Sequence, residues 1–375
     1  MTSSKKRPVL ILTCAFGEGH NAAARNLALS LRALDPDRAV EVRDLFADAY
    51  GPLYRFAQKA YFFFINHLPI VWGAFYQYLH RDKDAPRRVA VYKRAARLLK
   101  KTVSELQPAV IATTYPGYNH LLDHLYGSTA RPFKTITVVT DSISINSLWY
   151  RAYSDLFFVP NDITASVMVG VGVRPELLKV TGFPVPPLFE SLRGKRLNPS
   201  PSLPPKVLYL VNPGQKNAAE ILRRLGLVEG IELTAACGRD EELRKSLQKT
   251  ADTLEHPIRI EGWIEDLPEK IASSHLVVAK AGGATVQECL AASTPLVASQ
   301  VIPGQEEGNA ELLTSSDSGC TATSPQEVAS AVRHAFSHGC TVWKRWAANA
   351  RNTGKPDGAA ESARLIIKIA EKEES

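Results

Sequence analysis

The sequence contains little cysteine and no cysteine pattern that indicates a metal site or a disulfide framework. Its 375 residues include five cysteines, none of them in a CxxC pair or at a zinc-binding spacing. Three of the five lie in apolar strand or helix patterns, as buried thiols do. We therefore interpret the cysteines as reduced core residues and expect a cytoplasmic protein.

Long apolar runs are also missing. The apolar stretch at residues 9–16 is too short for the hydrophobic region of a signal peptide. The nearest candidate for a membrane span, residues 61–79, is interrupted by Asn66, His67 and Pro69. The sequence therefore predicts neither a secretory signal nor a membrane-spanning helix.

Composition and charge are typical of a soluble globular protein. Hydrophobic residues make up 45% and charged residues 22%, and the formal net charge is +7. A positive charge favours anionic partners, such as nucleotides, anionic lipid surfaces or nucleic acid. No nucleic-acid-binding motif accompanies the charge, so we expect no nucleic-acid partner.

Short apolar runs alternate with amphipathic helical stretches along the chain. The first half contains a predicted helix at residues 21–34 and predicted strands at residues 9–14, 39–45, 109–114, 135–141 and 155–160. The alternation restarts near residue 206. Strands that alternate with helices form parallel sheets that are covered on both faces. The sequence therefore predicts an α/β protein with two doubly wound, Rossmann-like domains.

A proline-rich segment separates the two halves. Residues 183–206 are rich in proline, serine and basic residues, which cannot sustain a long helix or a central strand. We expect an N-terminal domain at 1–184, a linker at 185–205 and a C-terminal domain at 206–375. The last helix is a candidate to pack back on the N-terminal domain. The two domains are expected to face a central cleft, with ligands outside the carboxyl ends of the strands.

A glycine pair follows a predicted strand in KAGGATVQE, residues 280–288. Because Gly282 and Gly283 lack a Cβ atom, the backbone can approach a ligand closely, and the next helix offers unpaired N–H groups to an anion. Thr285 adds a hydroxyl, and the Glu288 carboxylate can accept hydrogen bonds from two ribose hydroxyls. A tight turn with a solvent-facing glutamate is the alternative, and these nine residues alone do not decide between the two.

A second polar corner follows the next predicted strand. Residues 301–313 place Gln305, Glu306, Glu307 and Asn309 at the carboxyl end of that strand. Amide and carboxylate side chains suit hydrogen bonding to sugar hydroxyls. One corner suited to a phosphate and a ribose, followed by one suited to a sugar, predicts a nucleotide-sugar site.

These corners resemble the donor-binding segment of a known family. KAGGATVQECLAASTPLVASQVIPGQEEGN resembles that segment in the monogalactosyldiacylglycerol synthase and processive diacylglycerol glucosyltransferase family, glycosyltransferase family 28. Further resemblances span most of the chain, at CAFGEGHNAAA, VVTDSISINSLW, VTGFPVPPLF, ACGRDEELR and EGWIEDLPEKIASSHLVVAKAGG. The resemblance implies the two-domain GT-B fold and an inverting transfer of a hexose from a UDP-sugar to a diacylglycerol-type lipid.

Position by position, the resemblance implies donor contacts in the second domain. Glu288 would hold the ribose hydroxyls, and Gln305 and Glu306 would meet the donor sugar. The backbone near Trp263 and Ile264 would border the uracil. The diphosphate would meet Gly282, Gly283, Ala284 and Thr285. The remaining implied donor contacts are Gly238, Arg239 and Asn309.

The loop after the first strand carries a candidate catalytic base. Gly17 and Gly19 allow a close backbone approach to the lipid acceptor, and His20 stands where the next helix begins. An imidazole suits removal of the proton from an acceptor hydroxyl, and an ordinary polar helix start is the alternative. Asp141, just after a predicted strand, is a competing base, a holder of the His20 ring, or a cap of the following turn.

No DxD-type pair is placed to hold a metal ion. We therefore expect no cofactor and no tightly bound metal. Helix N–H groups and the helix dipole would stabilise the departing diphosphate instead.

Two segments depart from the family pattern. The family usually has a glycine-rich loop after the first strand of the second domain, and here that loop contains Gly214 alone. Asn212, Gln215 and Lys216 are candidates to replace its contacts by side chain. A histidine expected shortly after Asp141 is Asn146 in this chain.

Residues 52–101 are rich in aromatic and then in basic residues. Aromatic side chains suit the headgroup region of a bilayer, and clustered basic side chains attract anionic lipid. We predict that this segment contacts the lipid acceptor and the anionic inner face of the membrane. A buried helix pair with a solvated basic helix behind it is the alternative. The predicted contact residues are Phe62, Phe63, Trp72, Phe75, Tyr76, Arg87 and Arg88.

Taken with the resemblance, these observations predict a membrane-peripheral hexosyltransferase. One alternative is an enzyme of the same fold with a non-lipid acceptor, or a nucleotide-sugar epimerase. The other is a non-catalytic protein that binds lipid or nucleotide, which the altered loop at 212–217 motivates.

Overall fold

The computed structural model describes residues 6–81, 92–128, 131–192, 203–212 and 214–374. The chain divides into two compact units. The first comprises Met1–Pro187, Pro303–Gln305 and Asp357–Ser375, and the second comprises Leu188–Ile302 and Glu306–Pro356. Residues 357–375, which the sequence boundaries placed in the C-terminal domain, therefore lie in the first unit.

A six-stranded parallel sheet forms the centre of the first unit. Its strands are β1 (Val9–Leu12), β2 (Val40–Arg43), β3 (Val110–Thr113), β4 (Lys134–Val138), β5 (Leu156–Val159) and β6 (Leu178–Val180). They are arranged in the order β2-β1-β3-β4-β5-β6. The five strands that the sequence predicted are confirmed, each slightly shorter than expected. The edge strand β6 was not predicted, because three residues are too few for an alternation pattern to show.

Eight helices of the described residues belong to the first unit. They are α1 (Glu18–Leu34), α2 (Leu45–Tyr50), α3 (Pro52–His67), α4 (Pro69–Arg81), α5 (Tyr92–Leu106), α6 (Gly117–Tyr126), α7 (Asp162–Gly170) and the C-terminal α16 (Gly358–Lys372). The predicted helix at 21–34 begins three residues earlier, at Glu18, with Gly17 in the capping position.

The core of the first unit follows the two-residue alternation of its strands. Val9 and Ile11 of β1 point to one face and pack with α1 and α16, including Ile366. Leu10 and Leu12 point to the other face and pack with α5 and α6. Both faces of the sheet are therefore buried, which explains why its central strands β1 and β3 are almost entirely apolar.

The second unit repeats this architecture. Its strands are β7 (Lys206–Leu210), β8 (Glu232–Ala236), β9 (Arg259–Glu261), β10 (Leu276–Lys280), β11 (Leu296–Gln300) and β12 (Gly319–Thr321), in the order β12-β11-β10-β7-β8-β9. Every described pair is parallel. The helices are α8 (Leu188–Leu192), α9 (Ala218–Gly226), α10 (Glu241–Ala251), α11 (Leu267–Ala272), α12 (Gly283–Ala291), α13 (Glu307–Ser315), α14 (Pro325–Phe336) and α15 (Thr341–Thr353).

The predicted α/β class with two doubly wound parallel sheets is confirmed by this topology. The segment that the sequence assigned to a linker, 185–205, contains the five-residue helix α8. Residues 193–202 of that segment lie outside the described part of the chain.

Gly358, the first residue of α16, offers a test of how closely this helix packs in the first unit. A Cβ atom built there would lie 2.4 Å from the backbone oxygen of Phe183, which cannot move aside cheaply. We expect Gly358→Ala to lower the free energy of unfolding by about 2 kcal/mol through overpacking. Urea unfolding would measure it.

Gly170, at the end of α7, is the matched control for this substitution. A Cβ atom there meets nothing within 4 Å. Gly170→Ala is therefore expected to leave stability unchanged or to raise it by up to about 1 kcal/mol. An equal effect of the two substitutions would contradict the packing described here.

Candidate functional site

The two polar corners of the second unit follow neighbouring strands, β10 and β11. Lys280 is the last residue of β10 and lies opposite Gln300, the last residue of β11. Gly282 caps α12 without any side-chain hydrogen bond to the helix. The first N–H groups of α12 therefore have no capping side chain, as an anion-binding helix start requires.

A partly buried ion pair joins the two corners. The ammonium of Lys280 donates to Glu306 Oε1, and the Ile302 backbone N–H donates to Glu306 Oε2 at 3.0 Å. The Glu306 side chain is only 6% exposed. The Asn309 amide adds a second link, because its Nδ2 donates to the Ala281 backbone oxygen at 3.1 Å. The corner proposed for phosphate and the corner proposed for sugar are thus one connected unit.

These contacts give Glu306 a structural role that the sequence did not suggest. The resemblance assigned it to the donor sugar, and that contact stays a prediction. In the structure both carboxylate oxygens are already engaged inside the protein. The Asn309 Nδ2 is likewise already hydrogen-bonded inside the protein. The Asn309 Oδ1, in contrast, is buried and has no hydrogen-bond partner among the described residues.

Lys280 is a site residue that the sequence interpretation missed. A Cβ atom at Gly282 would lie 3.4 Å from the Lys280 ammonium and 3.7 Å from Glu306 Oε1, so the glycine leaves space beside the ion pair. An ammonium next to an uncapped helix start is suited to a diphosphate. The signal was a lone lysine at the end of the otherwise apolar strand LVVA.

Amide side chains follow the end of β7, which neighbours β10 in the sheet. Asn212 Nδ2 donates to Gln300 Oε1 at 3.2 Å, and the Tyr209 hydroxyl donates to Gln215 Oε1 at 3.2 Å. Gln215 is 9% exposed, and its Nε2 has no partner among the described residues. Lys216 is exposed. Side-chain amides therefore stand where a glycine-rich loop was expected, and Pro213 lies outside the described residues.

Most of the other predicted donor residues follow the ends of strands in the same sheet. Gly283, Ala284, Thr285 and Glu288 are partly buried on the first turns of α12. Four more follow the ends of β8 and β9: Gly238, Arg239, Trp263 and Ile264. The Arg239 guanidinium stacks 4.1 Å from the centre of the Trp263 ring, which is 57% exposed. The neighbouring Ile264 is partly buried. Gln305 is counted with the first unit, where its Oε1 accepts a hydrogen bond from Tyr61 at 3.2 Å.

In the first unit, His20 lies in the first turn of α1, after Gly17 and Gly19. Its Nδ1 is 2.9 Å from the Thr140 hydroxyl. Burial lowers the pKa of His20 to about 4, against a smaller upward effect of a backbone hydrogen bond with Thr114. The imidazole is therefore neutral at physiological pH.

Asp141 stands beside this group but does not hold the His20 ring. Thr140 contacts His20 Nδ1, and the Asp141 carboxylate instead accepts a hydrogen bond from the Trp149 indole N–H at 2.7 Å. Burial raises the pKa of Asp141 to about 6, and the Trp149 bond opposes this shift. Trp149 is a missed residue of the site: its ring also lies 6.0 Å from the His20 ring.

The aromatic segment forms the helical hairpin α3–α4. Phe62, Phe63 and Phe75 are 43%, 52% and 48% exposed, so the alternative of a buried helix pair is wrong for this face. Trp72 and Tyr76 are partly buried, and the Trp72 ring packs 4.9 Å from Tyr61. Arg87 and Arg88 lie outside the described residues. No helix in the described part of the chain is both long and apolar enough to cross a bilayer.

No group of three or more histidine, cysteine, aspartate or glutamate residues that could hold a metal ion occurs within the described ranges. The metal-free stabilisation of the leaving group stays a prediction.

Comparison with solved structures identifies the class of fold. The chain superimposes on the crystal structure of MurG from Acinetobacter baumannii with a TM-score of 0.61 at 13% identity, covering 96% of this chain and 99% of that one. It superimposes on UDP-GlcNAc 2-epimerase from Neisseria meningitidis with a TM-score of 0.59 at 12% identity, covering 97% and 100%. The fold is therefore GT-B, as the resemblance implied.

Sequence comparison identifies the family relationship. The family model of monogalactosyldiacylglycerol synthase matches residues 20–185, and that of glycosyl transferases group 1 matches residues 207–338. Processive diacylglycerol beta-glucosyltransferase of Bacillus subtilis is 25% identical over 83% of this chain and 81% of its own length. Chloroplastic monogalactosyldiacylglycerol synthase of Spinacia oleracea is 26% identical over 94% and 70%. The predicted relationship to the monogalactosyldiacylglycerol synthase and processive diacylglycerol glucosyltransferase family is confirmed.

The Lys280–Glu306 pair predicts a specific pattern of stabilities. Lys280→Met would leave the Glu306 carboxylate buried and unpaired, so we expect the free energy of unfolding to fall by about 2 kcal/mol. This is less than the 3–5 kcal/mol of a fully buried pair, because the Lys280 side chain is 33% exposed. The double variant Lys280→Met/Glu306→Gln should recover most of the loss, as measured by urea unfolding. Additive losses in the double variant would show that the two side chains are not coupled.

Proposed function

We propose that the protein is an inverting glycosyltransferase that moves a hexose from a UDP-sugar to a diacylglycerol-type membrane lipid. The observation that carries the proposal is the combination of two features in the first unit. It holds two partly buried candidate bases, His20 and Asp141, and it also exposes large side chains of the aromatic hairpin α3–α4. The family models and relatives described above support the same reaction class.

The chemistry follows from the two groups of residues. In the acceptor step, a base removes the proton of the lipid hydroxyl as its oxygen attacks the anomeric carbon of the sugar. The bond between that carbon and the diphosphate oxygen breaks, and UDP leaves with the electron pair. The uncapped N–H groups of α12 and the Lys280 ammonium would stabilise the negative charge on the leaving group.

Contact with an anionic membrane surface is part of the proposal. The hairpin exposes large apolar side chains on both helices. Helix α5, the next described helix along the chain, adds exposed basic side chains, namely Lys93, Arg94, Arg97, Lys100 and Lys101. Basic residues near a bilayer each contribute on the order of 1 kcal/mol of attraction to anionic lipid. We propose a peripheral location on the cytoplasmic face of the membrane.

The central test is transfer of label from a panel of radiolabelled UDP-sugars into diacylglycerol liposomes. We expect label in the organic phase from one donor. Glu288→Gln, which weakens the proposed ribose contact, should reduce the rate at least about tenfold. Glu311→Gln is the matched control, since Glu311 is an exposed glutamate on α13, and it should keep the wild-type rate.

Two results would contradict the proposal in different ways. Consumption of a UDP-sugar without lipid labelling would indicate a non-lipid acceptor or an epimerase. UDP binding without turnover of any donor would indicate a protein that binds nucleotide but does not catalyse.

The pH dependence of kcat/KM distinguishes the two candidate bases. A general base works deprotonated, so the rate falls as the pH drops through the pKa of the free enzyme's base. That point is about 6 for Asp141 and about 4 for His20. Because a pKa nearer neutrality gives the stronger base, we expect kcat/KM of the wild type to fall as the pH drops below about 6. The residual activity of Asp141→Asn should not show this fall. A profile that is flat down to pH 5 would assign the base to His20.

A further inference from the structure

The hairpin α3–α4 has an outer face with large exposed apolar side chains and an inner face that contacts the loops of the two candidate bases. The outer face carries large apolar side chains that are 38% to 69% exposed: Leu53, Phe56, Phe62, Phe63, Phe64, Leu68, Val71, Phe75 and Tyr78. The inner face makes hydrogen bonds that differ between the two helices. Each helix holds the loop of one candidate base.

Helix α3 holds the loop that precedes His20. Gln58 Nε2 donates to the backbone oxygen of Ala15 at 2.8 Å, and the Ala15 N–H donates to the Tyr54 hydroxyl at 2.8 Å. The Phe16 ring packs edge-on against Tyr54 and Tyr61, with ring centres 5.3 and 5.5 Å apart. The residue that follows Phe16 is Gly17, which caps α1, and α1 begins at Glu18. The position of α3 therefore sets the position of the first turn of α1.

Helix α4 holds the loop that contains Asp141. The Ser147 N–H donates to His80 Nδ1 at 3.1 Å, and the Ser147 hydroxyl donates to the His80 backbone oxygen at 2.7 Å. Ser147 begins the single 3₁₀ turn that ends at Trp149, whose indole N–H bonds Asp141. A chain of contacts thus runs from the end of α4 to the carboxylate.

Asn146, which stands where the family pattern has a histidine, belongs to the same link. Its Oδ1 accepts from the Leu148 N–H at 3.0 Å and caps the 3₁₀ turn. Its Nδ2 donates to the backbone oxygen of Tyr76 on α4 at 3.4 Å. The side chain therefore ties the turn to the helix.

We propose that Gln58 and His80 are positioning residues that couple the seating of the hairpin on a lipid bilayer to the geometry of the His20 and Asp141 loops. The inference rests on the proposed function, because it takes the exposed face of the hairpin to meet lipid. A hydrogen bond restrains a loop only as far as the helix that supplies it is itself restrained. Burying the outer face in the bilayer restrains the motion of both helices. Each helix then restrains the motion of the loop to which it is hydrogen-bonded.

Hydrogen exchange tests the coupling without depending on sugar transfer. Amide exchange of residues 15–20 and 141–149 is followed by mass spectrometry, with and without equimolar phosphatidylcholine–phosphatidylglycerol vesicles. In the wild-type protein we expect vesicles to slow exchange in both loops at least about tenfold. Gln58→Leu should lose this protection at 15–20 only, and His80→Ala should lose it at 141–149 only.

Two further variants make the test specific. His80→Asn keeps an acceptor near the position of Nδ1 and should restore protection at 141–149. Gln77→Ala removes an exposed polar side chain of α4 and should behave as wild type. All variants should sediment with vesicles as the wild type does, because none of the substitutions removes an exposed apolar side chain. Equal protection of both loops in the wild type, Gln58→Leu and His80→Ala would overturn the inference.

Kinetics separates positioning from a general loss of structure. In the transfer assay, Gln58→Leu and His80→Ala should lower kcat about tenfold to a hundredfold, while KM for the lipid changes less than about twofold. An unchanged kcat in both variants would overturn the inference as well. If the wild type transfers no sugar but its loops show the expected protection pattern, the coupling stands and the proposed function fails. If the wild type transfers sugar but its loops do not show the expected protection pattern, the proposed function stands and the coupling fails.

Discussion

Parallel strand pairing is the constraint on which the candidate donor site depends. Every described strand pair in both sheets is parallel, so the carboxyl ends of all strands in a sheet lie at one edge. Lys280 and Gln300 end two strands, Asn212 follows a third, and the three residues come together there for this reason. Because helices cover both faces of each sheet, no charged side chain lies in the middle of the central strands β1, β3, β10 and β11. The ends of the strands are where the fold can accommodate charge without a large desolvation cost.

Desolvation then decides the charge state of the groups near these ends. Burial disfavours the charged form of any group, so it lowers the pKa of His20 and raises that of Asp141. The same penalty explains why the nearly buried Glu306 lies against the Lys280 ammonium and a backbone N–H. A single physical effect thus produces a neutral imidazole, a carboxylate that titrates near pH 6, and an ion pair that joins two loops.

The hairpin α3–α4 departs from the usual distribution of polarity. Many of its large apolar side chains are exposed, whereas Gln58 and His80 make hydrogen bonds to loop backbone. In an ordinary surface helix the apolar face covers the core. An exposed apolar face fits the proposed transfer of sugar to an acceptor dissolved in a bilayer. The hydrogen bonds of Gln58 and His80 connect the hairpin to the loops of His20 and Asp141.

The sequence by itself determined the α/β class, five of the six strands of the first sheet and the position of both polar corners, since apolar runs and glycine corners are properties of near neighbours in the chain. It also carried the family relationship through the motifs from Lys280 to Asn309. Only the tertiary structure decided that Thr140, rather than Asp141, contacts His20, and that Lys280 pairs with Glu306. These partners are 120 and 26 residues apart, so their contact depends on strand order and burial, which local patterns do not encode. The sequence also left undecided whether the aromatic side chains of the hairpin are buried or exposed. Helical spacing identifies an apolar face but does not say what covers it.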